Sequence, residues 1–385
     1  MAPDRPRSAR ARNFGLDAMR ALAIGLVMLS HSVFLPALLS LPDPLRLQIA
    51  YQGGYFGVEL FFVLSGFLIG TILMRTFDRD RLPGIRGITR FWIRRWWRTL
   101  PNYYLFLILN VTLFAGWFGA HHWHAGYFLF LQNFAWPPDA TMPESWSLAV
   151  EEWFYLTAPL AMSLACLLVS SRRQALLLAL LACIVASNLA RFGVAFWSDA
   201  PWDAGIRKVV ALRLDAIAWG GVIAWLALWR GVWVDRHWVG MACAGALMSA
   251  LAVALLAVGV ARGYTPLWHG VILFTLTSAG LALLLPAITR LPRPTPWLAR
   301  TVTGISLVSY SAYLVHYSLV IPLLRQLNAA GYLPLGAGLA LYLPLSLLLA
   351  AGVYALYEKP MMRCRDLQLP FLRARQPLGR SDGSP

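Results

Sequence analysis

Residues 54–74 read GYFGVELFFVLSGFLIGTILM, a run that can cross a hydrocarbon core of about 30 Å as a helix and holds one ionisable side chain, Glu59. Runs of the same kind recur at 16–40, 100–118, 147–169, 175–197, 209–229, 238–260, 267–289, 303–324 and 334–356. Within lipid every backbone polar group must be satisfied inside its own segment, so these runs predict helices. The expected fold is all-α, a polytopic transmembrane bundle of about ten helices. Composition agrees. Hydrophobic residues make up 59% of the 385-residue chain and charged residues 13%, about half the roughly 25% of a soluble domain. Mean hydropathy is +0.60.

The net charge of +16 would suggest nucleic acid in a soluble protein. Here the basic residues alternate with apolar spans, so they report topology and no nucleic-acid partner is expected. The N-terminus, 75–99, 170–174, 230–237, 290–302 and the tail together hold 25 Arg and Lys. The opposite connections hold four: Arg46, Arg207, Lys208 and Arg262. The positive-inside rule then places both termini in the cytoplasm, which an even number of spans satisfies. Three regions are expected: a basic N-terminus (1–15), a membrane domain (16–360) and a basic tail without fixed structure (361–385). The first apolar stretch contains Arg20 and His31 and ends without a small-residue cleavage site, so it reads as a retained helix rather than a signal peptide. A re-entrant or interfacial piece is possible in 119–146, around the aromatic YFLFLQNFAW. Cys166, Cys183, Cys243 and Cys364 lack metal-ligand spacing and read as free thiols.

Ionisable groups at membrane depth are costly and mark function by default. The first span holds Asp17, Arg20 and His31. Eleven residues at about 100° each bring Arg20 and His31 to one helix face, about 16 Å apart along the axis. In the second span, Ser65 and Gly66 either form a close helix–helix seam, with Glu59 paired to an arginine, or wall a polar cavity. FWIRRWWRTLPNYY places Arg94, Arg95 and Arg98 just before the third span. Topogenic charge and an aromatic belt explain part of that run, and guanidinium groups also bind phosphates in bidentate fashion. In PESWSLAVEEWFY, Ser145 is a candidate cap, Ser147 and Glu151 share a face, and Glu152 is adjacent. Arg213 and Asp215 in RLDAIAWGG suggest an ion pair between helices. Ser309, Tyr313 and His316 form one polar stripe in SYSAYLVHYSL. His121, His122 and His124 lack acidic or cysteine companions, and no metal site is expected.

Taken in order, LDAMRALAIGLVMLSH, GGYFGVELFFVLSGFLI, FWIRRWWRTLPNYY, SWSLAVEEWFY, RLDAIAWGG, SYSAYLVHYSL and the closing YEKP resemble the membrane-bound acyltransferase 3 family, bacterial proteins that O-acylate surface polysaccharides and some metabolites. The resemblance extends from Leu16 to about Pro360. It implies that His31 is catalytic, with Arg20 essential on the same helix, and that Arg95 and Arg98 help hold acyl-coenzyme A at the cytoplasmic face. It implies that SLAVEE and the outer polar residues face the acceptor. Some members carry a further hydrolase-like domain, which is not expected here.

The expected protein is therefore a multi-pass enzyme of the bacterial inner membrane. It would move an acetyl or other short acyl group from acyl-coenzyme A to a glycan, a lipid-linked sugar or a small hydroxylated acceptor. No permanently bound cofactor is expected. His31 would be the general base, oriented by Glu59, Glu151 or Asp17, or would itself carry the acyl group. Arg94, Arg95 and Arg98 would bind phosphates. Ser145, Ser147, Glu152, Arg213, Asp215, Tyr313 and His316 would support the acceptor side. Arg20, His31, Glu59, Ser147 or Glu151, and His316 should line one cavity continuous through the bundle, with Arg95 and Arg98 flanking its cytoplasmic mouth. The rival reading is a transporter or flippase of a lipid-linked sugar, since buried Arg, His and Glu also suit a substrate pathway.

Overall fold

The computed structural model describes residues 12–79, 85–113, 123–139 and 141–368. No strand occurs among the described residues. In chain order the helices are α1 (Phe14–Ser32), α2 (Asp43–Arg79), α3 (Ile85–Val111), α4 (Ser145–Leu168), α5 (Arg172–Trp197), α6 (Leu214–Trp229), α7 (Gly231–Arg262), α8 (Pro266–Ile288), α9 (Pro296–Ala329) and α10 (Leu335–Cys364). π turns interrupt α9 at His316–Val320 and α10 at Tyr354–Glu358. Among the described residues, seven helices, α1, α2, α5 and α7 to α10, are long and apolar enough to cross a membrane. The others depart from that pattern for visible reasons. α3 and α4 carry the basic and acidic clusters, and α6 has 16 residues.

The exterior is apolar, with Leu22, Leu164, Leu189, Leu247 and Leu348 exposed, while arginines and acids are buried inside. That inversion of the soluble pattern is what a multi-pass membrane protein requires. Helix ends differ from those expected. α2 runs far past 54–74 in both directions, and α3 begins at Ile85. The RRWWR run is therefore inside a helix rather than in a connection. Residues 125–139 hold no spanning helix. A 3-10 turn at Ala125–Leu129 leads into a loop, which Asn133 ties down by donating to the carbonyls of Trp146 (3.0 Å) and Lys208 (2.6 Å). The four cysteines are free thiols.

Small residues set the closest approaches. A Cβ on Gly66 of α2 would lie 1.8 Å from the Ile217 carbonyl oxygen of α6, and one on Gly220 would lie 2.0 Å from the Val63 oxygen. The seam expected around Ser65 and Gly66 is thus the α2–α6 contact, with backbones touching as small residues permit. Two buried ion pairs tie the same region. Arg213, at the start of α6, pairs with Glu59 of α2, whose other oxygen accepts from Ser278 of α8 (2.9 Å). Arg191 of α5 forks onto both oxygens of Asp215 (2.7 and 2.6 Å). Phe274 lies under both guanidinium groups.

Candidate active site

α1 carries the two ends of the site. Arg20 sits near its start, with Nη1 3.4 Å from Ser306 Oγ and 4.0 Å from an Asp17 oxygen. His31 sits in its last turn, and its Nδ1 lies 2.8 Å from Nε2 of His316 on α9. The two rings stack with centroids 5.1 Å apart. The hydrogen-bond chain fixes the tautomers of the neutral pair. Nδ1 of His316 lies 2.8 Å from the Ala312 carbonyl, which can only accept, so that nitrogen holds the proton. His316 Nε2 must then accept, and His31 Nδ1 must donate to it. His31 Nε2 is left with its lone pair, on a residue in the wall of a cavity. An imidazole held in one tautomer with one basic nitrogen presented is what a general base requires.

Two cavities lie along the bundle, and of the two only the smaller is lined by His31. The larger, about 780 Å³, opens at the end of the bundle where α1 begins. Its wall includes Arg20, Arg75, Arg95, Arg98, Ser147 and Glu151. The guanidinium of Arg95 lies 4.4 Å from the ring centre of Tyr155. Tyr155 donates to Glu151 Oε2 (3.0 Å) and bonds Ser65. Four guanidinium groups share a wall with one carboxylate, so the cavity favours an anion. The smaller cavity, about 460 Å³, is lined by His31, Arg46, Tyr51, Glu144, Arg207 and Lys208 among others. Both are also lined by Val58 and Tyr313. The Tyr313 hydroxyl donates to the Glu144 carbonyl (2.9 Å) and bonds Ser147 Oγ (2.7 Å). A latched tyrosine therefore stands where one continuous cavity was expected.

Several expected site residues sit elsewhere. His316 takes the place at His31 Nδ1 that Glu59, Glu151 or Asp17 was expected to fill. Glu59 is spent on Arg213 and Ser278 and lines neither cavity. Asp17 is at the far end of α1, about 21 Å from His31 at 1.5 Å per residue, where it accepts from Arg12 (2.6 Å) and Ser306 (2.8 Å). Glu151 and Ser147 face the arginine-lined cavity, not the His31 cavity. Glu152, one residue on and about 100° around the helix, accepts from Thr99 (2.7 Å). Arg94 is exposed, turned off the face that Arg95 and Arg98 share. Ser145 does not cap α4, and its hydroxyl accepts from Gln132 (3.2 Å). Arg213 and Asp215 do form the ion pairs between helices that their sequence suggested, with Glu59 and Arg191. His124 accepts from the Gly126 amide (3.1 Å), while His121 and His122 lie outside the described residues. The sequence reading missed Arg75 and the Arg191–Asp215 pair. The signal for the latter was present, a lone arginine within an apolar span.

Removing one partner of such a pair strands a buried charge, at about 3–5 kcal/mol. Arg191→Met should therefore lower the midpoint of thermal unfolding in detergent sharply. The double variant Arg191→Met/Asp215→Leu should recover much of the loss. A single variant as stable as the parent would contradict the pairing.

An apolar-walled helical bundle with a cationic cavity at one end and an imidazole pair at the other is an integral-membrane protein with an enclosed polar site. The model of the acyltransferase domain family matches residues 13–357, and the chain belongs to that family, membrane-bound acyltransferase 3. It is 30% identical over 165 residues to the peptidoglycan O-acetyltransferase OatA of Listeria monocytogenes, covering 37% of this chain and 23% of the relative. It is 30% identical over 181 residues to the putative peptidoglycan O-acetyltransferase YrhL of Bacillus subtilis, covering 42% and 25%. A putative O-acetyltransferase of Staphylococcus aureus is also 30% identical, over 166 residues, covering 38% and 24%. The matched segment spans about a quarter of the length of these relatives. No solved structure matches the chain.

Proposed function

We propose that the chain transfers an acyl group, acetyl by analogy with the names of its relatives, from acyl-coenzyme A to a hydroxyl of a cell-surface glycan. The reading rests on one observation above all. A cationic cavity and a cavity holding a basic imidazole nitrogen abut at Tyr313 and Val58. The skew of basic residues supports a cytoplasmic arginine-lined end, in the inner membrane of a bacterium, where acyl-coenzyme A is at hand. Arg20, Arg75, Arg95 and Arg98 bind its phosphates. The narrow pantetheine arm extends toward Ser147 and Tyr313 and carries the thioester to the partition. The acceptor enters from the opposite face. His31 Nε2 takes the proton of its hydroxyl as the oxygen attacks the thioester carbonyl. The C–O bond forms, the C–S bond breaks, and the proton passes to the departing thiolate. His316 holds His31 in the required tautomer.

Release of the coenzyme A thiol by purified protein in detergent, dependent on added surface glycan, tests this reading. If acyl-coenzyme A stays intact while a lipid-linked sugar is bound, the transporter reading takes its place. Replacing Arg95 and Arg98 together by alanine should raise the donor KM at least about tenfold, since a charge-assisted hydrogen bond contributes roughly 1.5–3 kcal/mol. Turnover at saturation should change little, because these contacts are made in ground and transition states alike. An unchanged donor KM would remove the pair from the donor site.

A further inference from the structure

The positive-inside rule drains Arg and Lys from one side of this protein, leaving Arg46, Arg207, Lys208 and Arg262. Topology gives no reason for those to be there, yet three of the four line the cavity that His31 lines. They arrive from separate places. Arg46 comes from the first turn of α2, and Arg207 and Lys208 from the connection between α5 and α6. Asp203, in the same wall, holds two of them at once. Its carboxylate accepts from Arg207 Nε (2.6 Å) and pairs with Lys208 Nζ (2.6 Å). Burial works to raise the Asp203 carboxyl, but Arg207 and Lys208 outweigh it and hold it down at about 2. The other acid in the wall, Glu144, accepts from Ser318 and is pushed up to about 7 by burial. Near neutral pH it therefore cancels only part of a charge. Arg46 has its own partner, Asp43 (2.5 Å), which is not part of the wall.

One carboxylate shared between two cations leaves donors over. An ammonium has three N–H groups and a guanidinium five. Arg207 is held over Trp146, 4.9 Å from the ring centre, which fixes its position beside the cavity. Such a preset fork with a neighbouring ammonium suits a carboxylate or phosphate.

We propose that the acceptor is anionic: Lys208 and Arg207 hold a carboxylate or phosphate group of the glycan, or of the lipid carrying it, and so direct the acceptor hydroxyl at His31. This inference rests on the outer cavity being the acceptor site. The negative group would come from an acidic sugar or from the phosphates of a lipid-linked sugar.

Binding measured with the donor cavity filled by excess coenzyme A tests it, using purified full-length protein in detergent and titration calorimetry. The probes are methyl glucuronide, inorganic pyrophosphate and neutral methyl glucoside. At least one anion should bind tenfold or more tightly than the glucoside, and its affinity should fall with added salt. With the donor cavity blocked, Lys208→Gln should abolish that preference, which locates the anion in the cavity that His31 lines. A stronger response to glucuronide assigns a sugar carboxylate, and one to pyrophosphate assigns a lipid phosphate. Equal affinity for anions and glucoside, no binding of either, or an anion preference that survives Lys208→Gln would overturn the proposal. Anion binding through Lys208 in a protein that transfers no acyl group would sink the enzymatic reading while leaving the anion site in place.

Discussion

Alanine in place of His31 is expected to leave the protein folded and inserted while lowering acyl transfer about 10²- to 10⁴-fold, the range a positioned general base contributes. The side chain lines a cavity and shares its hydrogen bond with His316, a neutral partner, so its removal strands no buried charge. Its effect falls on chemistry. On the proposed reading the donor is held by arginines at the other end of the bundle, so donor binding should be unchanged. The assay is initial rate at saturating donor, alongside the thermal midpoint. Retention of more than a tenth of the parent rate would remove His31 from the reaction.

The second large effect is expected at His316. It does not line either cavity, and it acts by accepting from His31 Nδ1 while its own proton is held by the Ala312 carbonyl. Phenylalanine there keeps the ring and removes the acceptor. His31 is then free to turn or to carry its proton on Nε2, where it cannot act as a base. Turnover should drop on the order of 10²-fold with little change in donor KM. His316→Gln should recover part of the loss, because an amide oxygen can accept the same bond. If His316→Phe turns over normally, or glutamine is no better than phenylalanine, His316 does not position His31.

The sequence made some of this legible and hid the rest for physical reasons. Apolar runs of spanning length need no tertiary information, and the eleven-residue step between Arg20 and His31 is a property of one helix. The ends of α2 and α3 were not legible. Amphipathic turns such as Asp43–Gln52 and the RRWWR run continue a helix beyond the apolar core, and hydropathy does not register them. Partners were illegible wherever they came from afar. His31 meets a residue 285 positions away and Glu59 one 154 positions away, so spacing could not choose between a catalytic carboxylate and a structural pair. Ser147 and Glu151, expected on the acceptor side, line the arginine-rich cavity for a different reason. The direction of α4 tells from which side it is entered, but not which cavity its polar face meets. Tyr313 decides that by standing between them.

The central claim is that donor and acceptor approach from opposite ends and meet across Tyr313. Sealed membrane vesicles of both orientations, from cells making this protein, carry their own glycan and so test it whatever the acceptor is. Radiolabelled acetyl-coenzyme A is added outside the vesicles, and label is followed into the glycan on either face. Inside-out vesicles should place label on glycan enclosed in the lumen, right-side-out vesicles should place none, and His31→Ala should silence the inside-out vesicles. Label appearing only on the face to which the donor was added, or equally in both orientations, would contradict transfer through the bundle.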